Sequence, residues 1–213
     1  TGDAETDRIS AEGLAGLDLI LAERTSIEPA DPIGVDVERD ELVFFPLLYW
    51  PVREGARPPS ATALAKIGSY MKNGGTIFFD LQDDGADPAL LQGAASPAAE
   101  ALRALLAKID IPPLEPVPPD HVLTKSFYLM DRFPGRYDQG PLWVESGAGD
   151  NASDGVSSII IGSNHYAAAW AVAGLPRASS ETFSQRRGRC RTPRGPATPE
   201  LIRGTTELLM VFY

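Results

Sequence analysis

The segment that spans residues 42–85 constrains the fold of this chain more than any other part of the sequence. It begins with an apolar run, LVFFPLLYWPV, continues with a helix-patterned stretch that ends in YMKNGG, and finishes with TIFFDLQDDG. Strand, helix and strand in that order form the βαβ unit of an α/β sheet, in which ligands bind at the carboxyl ends of the strands. Both apolar runs are nearly continuous, as in strands that helices cover on both faces. The segment therefore predicts an open α/β domain with a mostly parallel sheet.

Capping residues and helical periodicity predict three helices. Ser10, Ser60 and Ser96 are placed as N-caps. Asn73 and Gly74 supply a left-handed stop for the second helix. Each helix has apolar side chains at helical spacing, which predict its buried face: Leu14, Leu17 and Leu21 in the first, Leu64, Ile67 and Met71 in the second, and Leu102, Leu105, Leu106 and Ile109 in the third.

The remaining segments show weaker signals. Residues 156–161 predict another buried strand, and residues 141–145 predict a shorter strand at a sheet edge. The proline-rich residues 111–119 predict an extended surface connection, because proline removes a backbone donor. Residues 173–197 have almost no apolar content and predict a mobile loop, after which Thr198 starts a fourth predicted helix.

Length, charge and cysteine content narrow the class of protein. The 213 residues suffice for one α/β domain, which we place over residues 1–213. A formal net charge of −10 opposes binding to the phosphate backbone of nucleic acids. Cys190 is the only cysteine, so neither an internal disulfide nor a cysteine-based zinc site can form within one chain. No apolar run reaches the ~20 residues that a membrane span requires.

The amino terminus predicts that this domain belongs to a longer protein. The chain starts at Thr1 without an initiator methionine or a basic leader. Thr1, Gly2 and Asp3 look like the end of a strand, so we expect the first strand of the sheet to precede residue 1. An uncovered sheet edge pairs readily with another chain, and homo-oligomerisation is therefore one expectation.

Five ordered segments resemble a known family. They are TGDAETDRIS, ELVFFPLLYWPV, YMKNGGTIFFD, IDIPPLEPVPPDHVLTKSFYL and GPLWVE, and they resemble the bacterial family called domain of unknown function 4159 over roughly residues 1–170. The stretch ALAKIGSYMKNGGTIFFD also resembles class I glutamine-amidotransferase-like domains. The resemblance implies a flavodoxin-like, three-layer αβα sandwich. It further implies a soluble domain at the C-terminal end of a BatA-type membrane-anchored protein of the bacterial cell envelope, on the periplasmic side, with the membrane reached only through other parts of the full-length chain.

The amidotransferase reaction does not follow from this resemblance. Such enzymes resemble one another in a cysteine nucleophile at the turn after the strand, activated by a His-Glu pair. Here Phe79, Asp80, Leu81 and Gln82 occupy that turn, without Cys, Ser or Thr. Cys190 lies among arginines in the predicted loop, where an incidental thiol is the favoured interpretation. The sequence therefore predicts that the amidotransferase triad is absent.

Residues at the predicted strand ends define a candidate ligand site, because strand ends converge in this class of fold. Weak candidates for a Mg²⁺ or Ca²⁺ site are Asp80, Asp83 and Asp84, although aspartates more commonly cap the turn that they occupy. A structural role is favoured for His121 and His165. No cofactor is predicted. The expected pocket is bounded by Gly2, Asp3, Tyr49, Trp50, Asp80, Gln82, Asn164 and His165.

Two functions remain open. The leading hypothesis is a non-catalytic module of a larger bacterial envelope protein that binds a protein partner or a small ligand. The alternative is an uncharacterised hydrolase or metal-dependent enzyme that uses Asp80 with His165. An enzyme requires these side chains to lie within about one water-bridged contact of each other. If Asp80 instead points into the core and pairs with a backbone amide, both the enzyme and the metal interpretations lose support.

Overall fold

A five-stranded β-sheet lies at the centre of the part of the chain that the structure describes. The computed structural model describes residues 1–56, 58–82, 96–125, 129–130, 132–138, 140–146 and 157–173. In chain order the elements are α1 (Ala4–Arg24), a short 3₁₀ helix (Leu42–Phe44), β1 (Leu47–Val52), α2 (Ala61–Lys72), β2 (Thr76–Leu81), α3 (Pro97–Leu106), β3 (Leu114–Pro116), α4 (Val122–Lys125), β4 (Trp143–Glu145), β5 (Ile159–Gly162) and α5 (Tyr166–Ala173).

The sheet combines a parallel half with an antiparallel half. Its strand order is β1-β2-β5-β4-β3, in which β1, β2 and β5 run parallel and β4 runs antiparallel to both of its neighbours. The mixed α/β fold and the parallel βαβ unit are thus confirmed. The strand predicted at residues 141–145 lies inside the sheet rather than at its edge. The edge next to it is β3, within the proline-rich connection, where an edge position tolerates Pro116.

Side-chain alternation along β2 divides the core into two packed layers. All six residues of β2 are buried. Ile77, Phe79 and Leu81 pack with α2 and α3, whereas Phe78 packs with α1 and α5 on the opposite face. Successive side chains of a strand point to opposite faces, so Asp80 shares the face of Phe78. The sheet therefore holds Asp80 on the side of α1 and α5.

The second and third helices follow the sequence prediction. Ser60 and Ser96 each accept a backbone hydrogen bond in the first turn of α2 and α3, respectively. Gly74 ends α2 with a φ of 91°, the left-handed conformation that glycine adopts at little cost. At Gly75 a Cβ atom would lie 2.2 Å from the ring of Tyr70, so the second glycine makes room for that ring.

The first helix begins earlier than its predicted N-cap, Ser10. Asp3 is the cap, and its Oδ2 accepts a hydrogen bond from the Thr6 amide at 2.9 Å. Ser10 lies within the helix, where its hydroxyl donates to the Thr6 carbonyl at 2.7 Å. The prediction was wrong because an upstream aspartate caps at least as well, and because a serine within a helix can bond back one turn. The helix ends at Arg24, close to where its apolar pattern stops.

Helix α5, which was not predicted, packs closely against α1. Gly13 allows this approach, since a Cβ atom there would lie 2.4 Å from the carbonyl oxygen of Ala167. Tyr166 and Trp170 of α5 are 0% and 1% exposed, and the Tyr166 ring lies 4.9 Å from that of Phe78. This contact fixes the start of α5 against β2.

Some predictions lie outside the described residues. They concern Asp83, Asp84, Cys190, the helix from Thr198 and, apart from Ala173, the loop at residues 173–197. Among the helices that the structure describes, none combines the length and the apolar character needed to cross a membrane.

Candidate functional site

Asp80 lies at the carboxyl end of β2, between the ends of β1 and β5. The strand register places it beside Pro51 of β1 and Gly162 of β5. Its side chain is fully buried, with 0% exposure. A Cβ atom at Gly162 would lie 2.6 Å from the Tyr166 ring, so glycine at this position lets α5 begin directly against the strand end.

Two donors from different elements bind one oxygen of the Asp80 carboxyl group. The Tyr49 hydroxyl donates to Oδ2 at 2.5 Å, and the backbone amide of Tyr166 donates to the same atom at 2.8 Å. The Gln82 side chain donates to the backbone carbonyl of Asp80 at 3.2 Å. We call Tyr49, Asp80, Gln82 and Tyr166 the strand-end cluster. The other carboxyl oxygen, Oδ1, is buried without a hydrogen bond to any described residue.

Burial dominates the electrostatics of the strand-end cluster. It raises the pKa of Asp80 from 3.8 to about 7, although hydrogen bonds from Tyr49 and from the backbone of Tyr166 oppose that shift. Burial, together with the negative charge of Asp80, holds the pKa of both tyrosine hydroxyls well above its usual range. Both tyrosines therefore remain neutral donors near neutral pH, and the carboxyl group of Asp80 changes its charge there.

Asp80, at the end of β2, caps the N-terminus of α5. Tyr166 is the first residue of α5, and the first amides of a helix have no partner within the helix. The preceding residue, His165, has a positive φ of 51°, which turns the chain from β5 into the helix. A helix start favours negative charge, so a carboxyl group suits this position. Through that one group Asp80 joins β1 and β2 to the start of α5.

Gly2 and Asp3 lie at the start of α1, where Asp3 also pairs with the residue that follows β1. Its Oδ1 is 2.9 Å from the Arg53 guanidinium, while its Oδ2 accepts from the Thr6 hydroxyl at 2.7 Å. These Thr6 hydrogen bonds and the Arg53 charge lower the pKa of Asp3. Gly2 has a φ of 84°. Asp3 thus fastens α1 to β1, a structural use of a predicted ligand residue.

The side chains of Asn164 and His165 contact the segment formed by residues 133–138 and Gly140. The Asn164 amide nitrogen donates to the Phe133 and Gly140 carbonyls at 3.1 Å each. The His165 ring meets the Tyr137 ring edge-on, with 5.1 Å between centroids. Both side chains therefore hold this segment near the end of β5.

The two aromatic residues predicted at the end of β1 lie on opposite faces of the sheet. Tyr49 joins Asp80, and its ring lies 5.6 Å from Trp170. Trp50 instead packs against Phe79, with 5.6 Å between ring centroids, on the side of α2 and α3. The structure therefore brings Tyr49, Asp80 and Gln82 together, and it places Trp50 elsewhere. Tyr166 was missed, although YAAAWAVA after a strand is a recognisable apolar helix signal.

Metal-ligating side chains do not gather within the described residues. In those ranges no group of three or more His, Cys, Asp or Glu side chains is close enough to hold a metal ion. Asp80 itself already accepts two hydrogen bonds at Oδ2. Asp83 and Asp84, the other predicted ligands, lie outside these ranges.

A comparison with protein families agrees with the resemblance seen in the sequence. The family model for a domain of unknown function, DUF4159, matches residues 1–190. No curated protein matches the chain. Because the family model covers most of the 213 residues, the chain belongs to the DUF4159 family.

Proposed function

We propose that this chain is a non-catalytic ligand-binding or protein-interaction module of a larger bacterial envelope protein. The family to which the chain belongs is defined as a domain of unknown function. A flavodoxin-like, amidotransferase-like architecture and a periplasmic location belong to the same proposal. The observation that carries it is the state of Asp80, the residue at the nucleophile position of the strand-end turn.

A nucleophile or general base must reach a substrate, and Asp80 does not present its carboxyl group to solvent. The side chain is 0% exposed and its Oδ2 is bound by Tyr49 and by the Tyr166 amide. These bonds hold three elements of the fold together. The side chain that stands where amidotransferases place a cysteine therefore has a structural use here.

One observation favours the alternative, a hydrolase or metal-dependent enzyme. The pKa of Asp80 is raised to about 7, and a carboxyl group that titrates near neutral pH is suited to general acid–base chemistry. Such chemistry needs a route from Asp80 to the surface. The His165 ring, its proposed partner, contacts Tyr137.

The experiment that separates the two functions compares the full chain with its Asp80→Asn variant. Generic ester and phosphoester substrates are tested for turnover, and thermal shifts are measured with Mg²⁺, Ca²⁺ and Zn²⁺. We expect no turnover above that of the heat-denatured chain and no metal-dependent stabilisation. Asp110→Asn is the matched control, because Asp110 is an aspartate on the surface with a 96% exposed side chain. The enzyme would be established instead by turnover that Asp110→Asn leaves intact and that Asp80→Asn abolishes without unfolding the chain.

A further inference from the structure

The outer side of β1 is an open edge of the sheet in the described part of the chain. The strand order ends at β1, which pairs only with β2 there. Pro46 and Val52 direct their carbonyl groups towards β2, where they accept from Thr76 and Gln82. Backbone groups alternate between the two sides of a strand. Leu47 therefore turns its N–H and C=O outwards, as do the alternate residues that follow it along β1.

The outward backbone groups of β1 can form hydrogen bonds with a further strand. Leu47 and Tyr49 each offer one donor and one acceptor, whereas Pro51 offers only its carbonyl oxygen. Proline within a strand is tolerated where its nitrogen faces away from a neighbouring strand. An unpaired edge of this kind is a template for a further strand.

A groove of about 1070 Å³ runs along this open edge. It lies between α1 and the extended segment at residues 28–37, with β1 as part of its floor. Leu14, Leu17 and Leu47 give the groove apolar walls. Ile33 and Phe44 also line it and are 63% and 78% exposed. Large apolar side chains exposed beside an unpaired strand mark a docking surface.

Among the described residues that line the groove, the charges are all of one sign apart from the N-terminal ammonium group, which pairs with Asp7. None of these described lining residues is Lys, Arg or His. Burial, together with the negative charge of Asp31, raises the pKa of Asp18 to about 6. A cationic occupant would relieve the repulsion between these two charges. Six carboxyl groups of described residues line the groove: Asp7, Asp18, Glu28, Asp31, Asp36 and Asp40.

We propose that the groove binds an extended, basic polypeptide segment of a partner protein, which adds to β1 as a sixth strand. Its backbone pairs with the outward groups of Leu47 and Tyr49, its apolar side chains enter the groove, and its Lys or Arg side chains reach the carboxylates. β1 has six residues, so the paired segment spans about 20 Å. This inference rests on the proposed interaction function and specifies the class of partner.

A second copy of the chain is a poorer occupant than a basic segment. Pairing β1 with β1 of another copy would bring two acidic grooves together, and each chain has a formal net charge of −10. Like charges held close together oppose association. Charge complementarity therefore favours a cationic partner over homo-oligomerisation through this edge.

The test uses a fluorescent peptide of sequence KVRVKVR, with EVEVEVE as its charge-reversed control. Anisotropy is measured with the full chain at low and high salt. We expect the basic peptide to bind, with weaker binding at high salt, and the acidic peptide not to bind. Two further KVRVKVR peptides, N-methylated at the odd or at the even residues, keep their charge. Because the amides alternate between the two sides of a strand, one of the two loses its hydrogen bonds to β1, and we expect that one not to bind.

Two sets of substitutions locate the binding. Asp18→Asn combined with Asp31→Asn removes two groove charges that repel each other, so the variant should fold, and it should weaken KVRVKVR by about five-fold or more. Asp110→Asn combined with Asp120→Asn is the control with two exposed aspartates outside the groove, and it should leave binding unchanged. Leu47→Pro removes an outward donor of β1 and should also weaken binding.

Equal binding of the normal peptide and of both N-methylated peptides, or equal weakening by both double variants, would overturn strand addition in the groove. A dimer that dissociates on Leu47→Pro, with no peptide bound, would assign the edge to a second copy instead. Lack of peptide binding with no enzymatic turnover would remove this inference and leave the proposed function standing. Turnover that depends on Asp80 would remove the proposed function whatever the peptide does.

Discussion

Asp80→Asn tests the electrostatics of the strand-end cluster directly. Asparagine has nearly the shape of aspartate and keeps an oxygen that accepts from the Tyr49 hydroxyl and the Tyr166 amide. It removes the charge that burial opposes. Its amide nitrogen would occupy the place of Oδ1, which has no hydrogen bond to any described residue. The difference in the free energy of unfolding between the two proteins therefore changes with pH only through the ionisation of Asp80. The unpaired amide of the variant adds a penalty that does not depend on pH.

The magnitude follows from the shift in pKa. A change from 3.8 to about 7 corresponds to about 4 kcal/mol, at about 1.4 kcal/mol for each pKa unit. Because the pKa of Asp80 is higher in the folded state, the folded protein binds more protons than the unfolded chain between these values. The stabilisation is complete below about pH 4 and is lost as the pH rises through about 7. Between pH 5 and pH 8 the wild-type chain should lose roughly 3 kcal/mol through Asp80.

The assay is urea unfolding at pH 5, 6, 7 and 8, followed by tryptophan fluorescence. Trp170 is 1% exposed and contacts Tyr49, so its emission reports on this region. The difference between the two proteins cancels other titrating groups that both retain, such as Asp18. The free energy of unfolding of Asp80→Asn, relative to wild type, should rise by roughly 3 kcal/mol from pH 5 to pH 8.

One result would refute this reasoning. A difference in the free energy of unfolding that stays constant from pH 5 to pH 8 would mean that the pKa of Asp80 is not raised in the folded protein, so that its hydrogen bonds offset burial. Asp110→Asn, at a highly exposed position, should not show the rise.

Three further predictions concern single contacts. Gly13→Ala should lower the free energy of unfolding by about 1–3 kcal/mol, because its Cβ atom would meet α5 at 2.4 Å. Gly68→Ala is its control within a helix, with its nearest contact at 3.7 Å, and urea unfolding should show a gain of up to about 1 kcal/mol. Ser96→Ala should cost about 1 kcal/mol in the same assay, because it removes the N-cap of α3. Tyr49→Phe should raise the pKa of Asp80 further, since the lost hydrogen bond favours the charged form. A dependence of the free energy of unfolding on pH that is the same as in the wild type would contradict this.

Local signals predicted the helices well where one residue decides the end of an element. Ser60, Ser96 and Gly74 act within one turn of the residues that they cap or stop, so their neighbours in sequence are their neighbours in space. Ser10 failed for a local reason, since Asp3 is another good cap a few residues upstream. Helix α5 was missed although its apolar composition was visible in the sequence.

The candidate site was only partly predictable. Asp80 was correctly placed at the carboxyl end of a buried strand. Period-two alternation already implies that Tyr49 and Trp50 point to opposite faces, so only one of them can reach Asp80. The role of Tyr166 could not be inferred, because its amide meets Asp80 across 86 residues of chain. The placement of β3 beside β4 likewise depends on pairing between distant segments.

By itself the sequence determined the α/β class, the βαβ unit, the absence of a cysteine nucleophile from the strand-end turn, and the excess of negative charge. Each of these depends on composition or on residues a few positions apart. Tertiary structure alone decided that Asp80 caps α5 with its carboxyl group buried, and that β1, which has no second neighbour among the described residues, lies beside an acidic groove. Those properties arise when remote segments displace water from a side chain or bring acidic residues beside a strand, and no local pattern encodes either outcome.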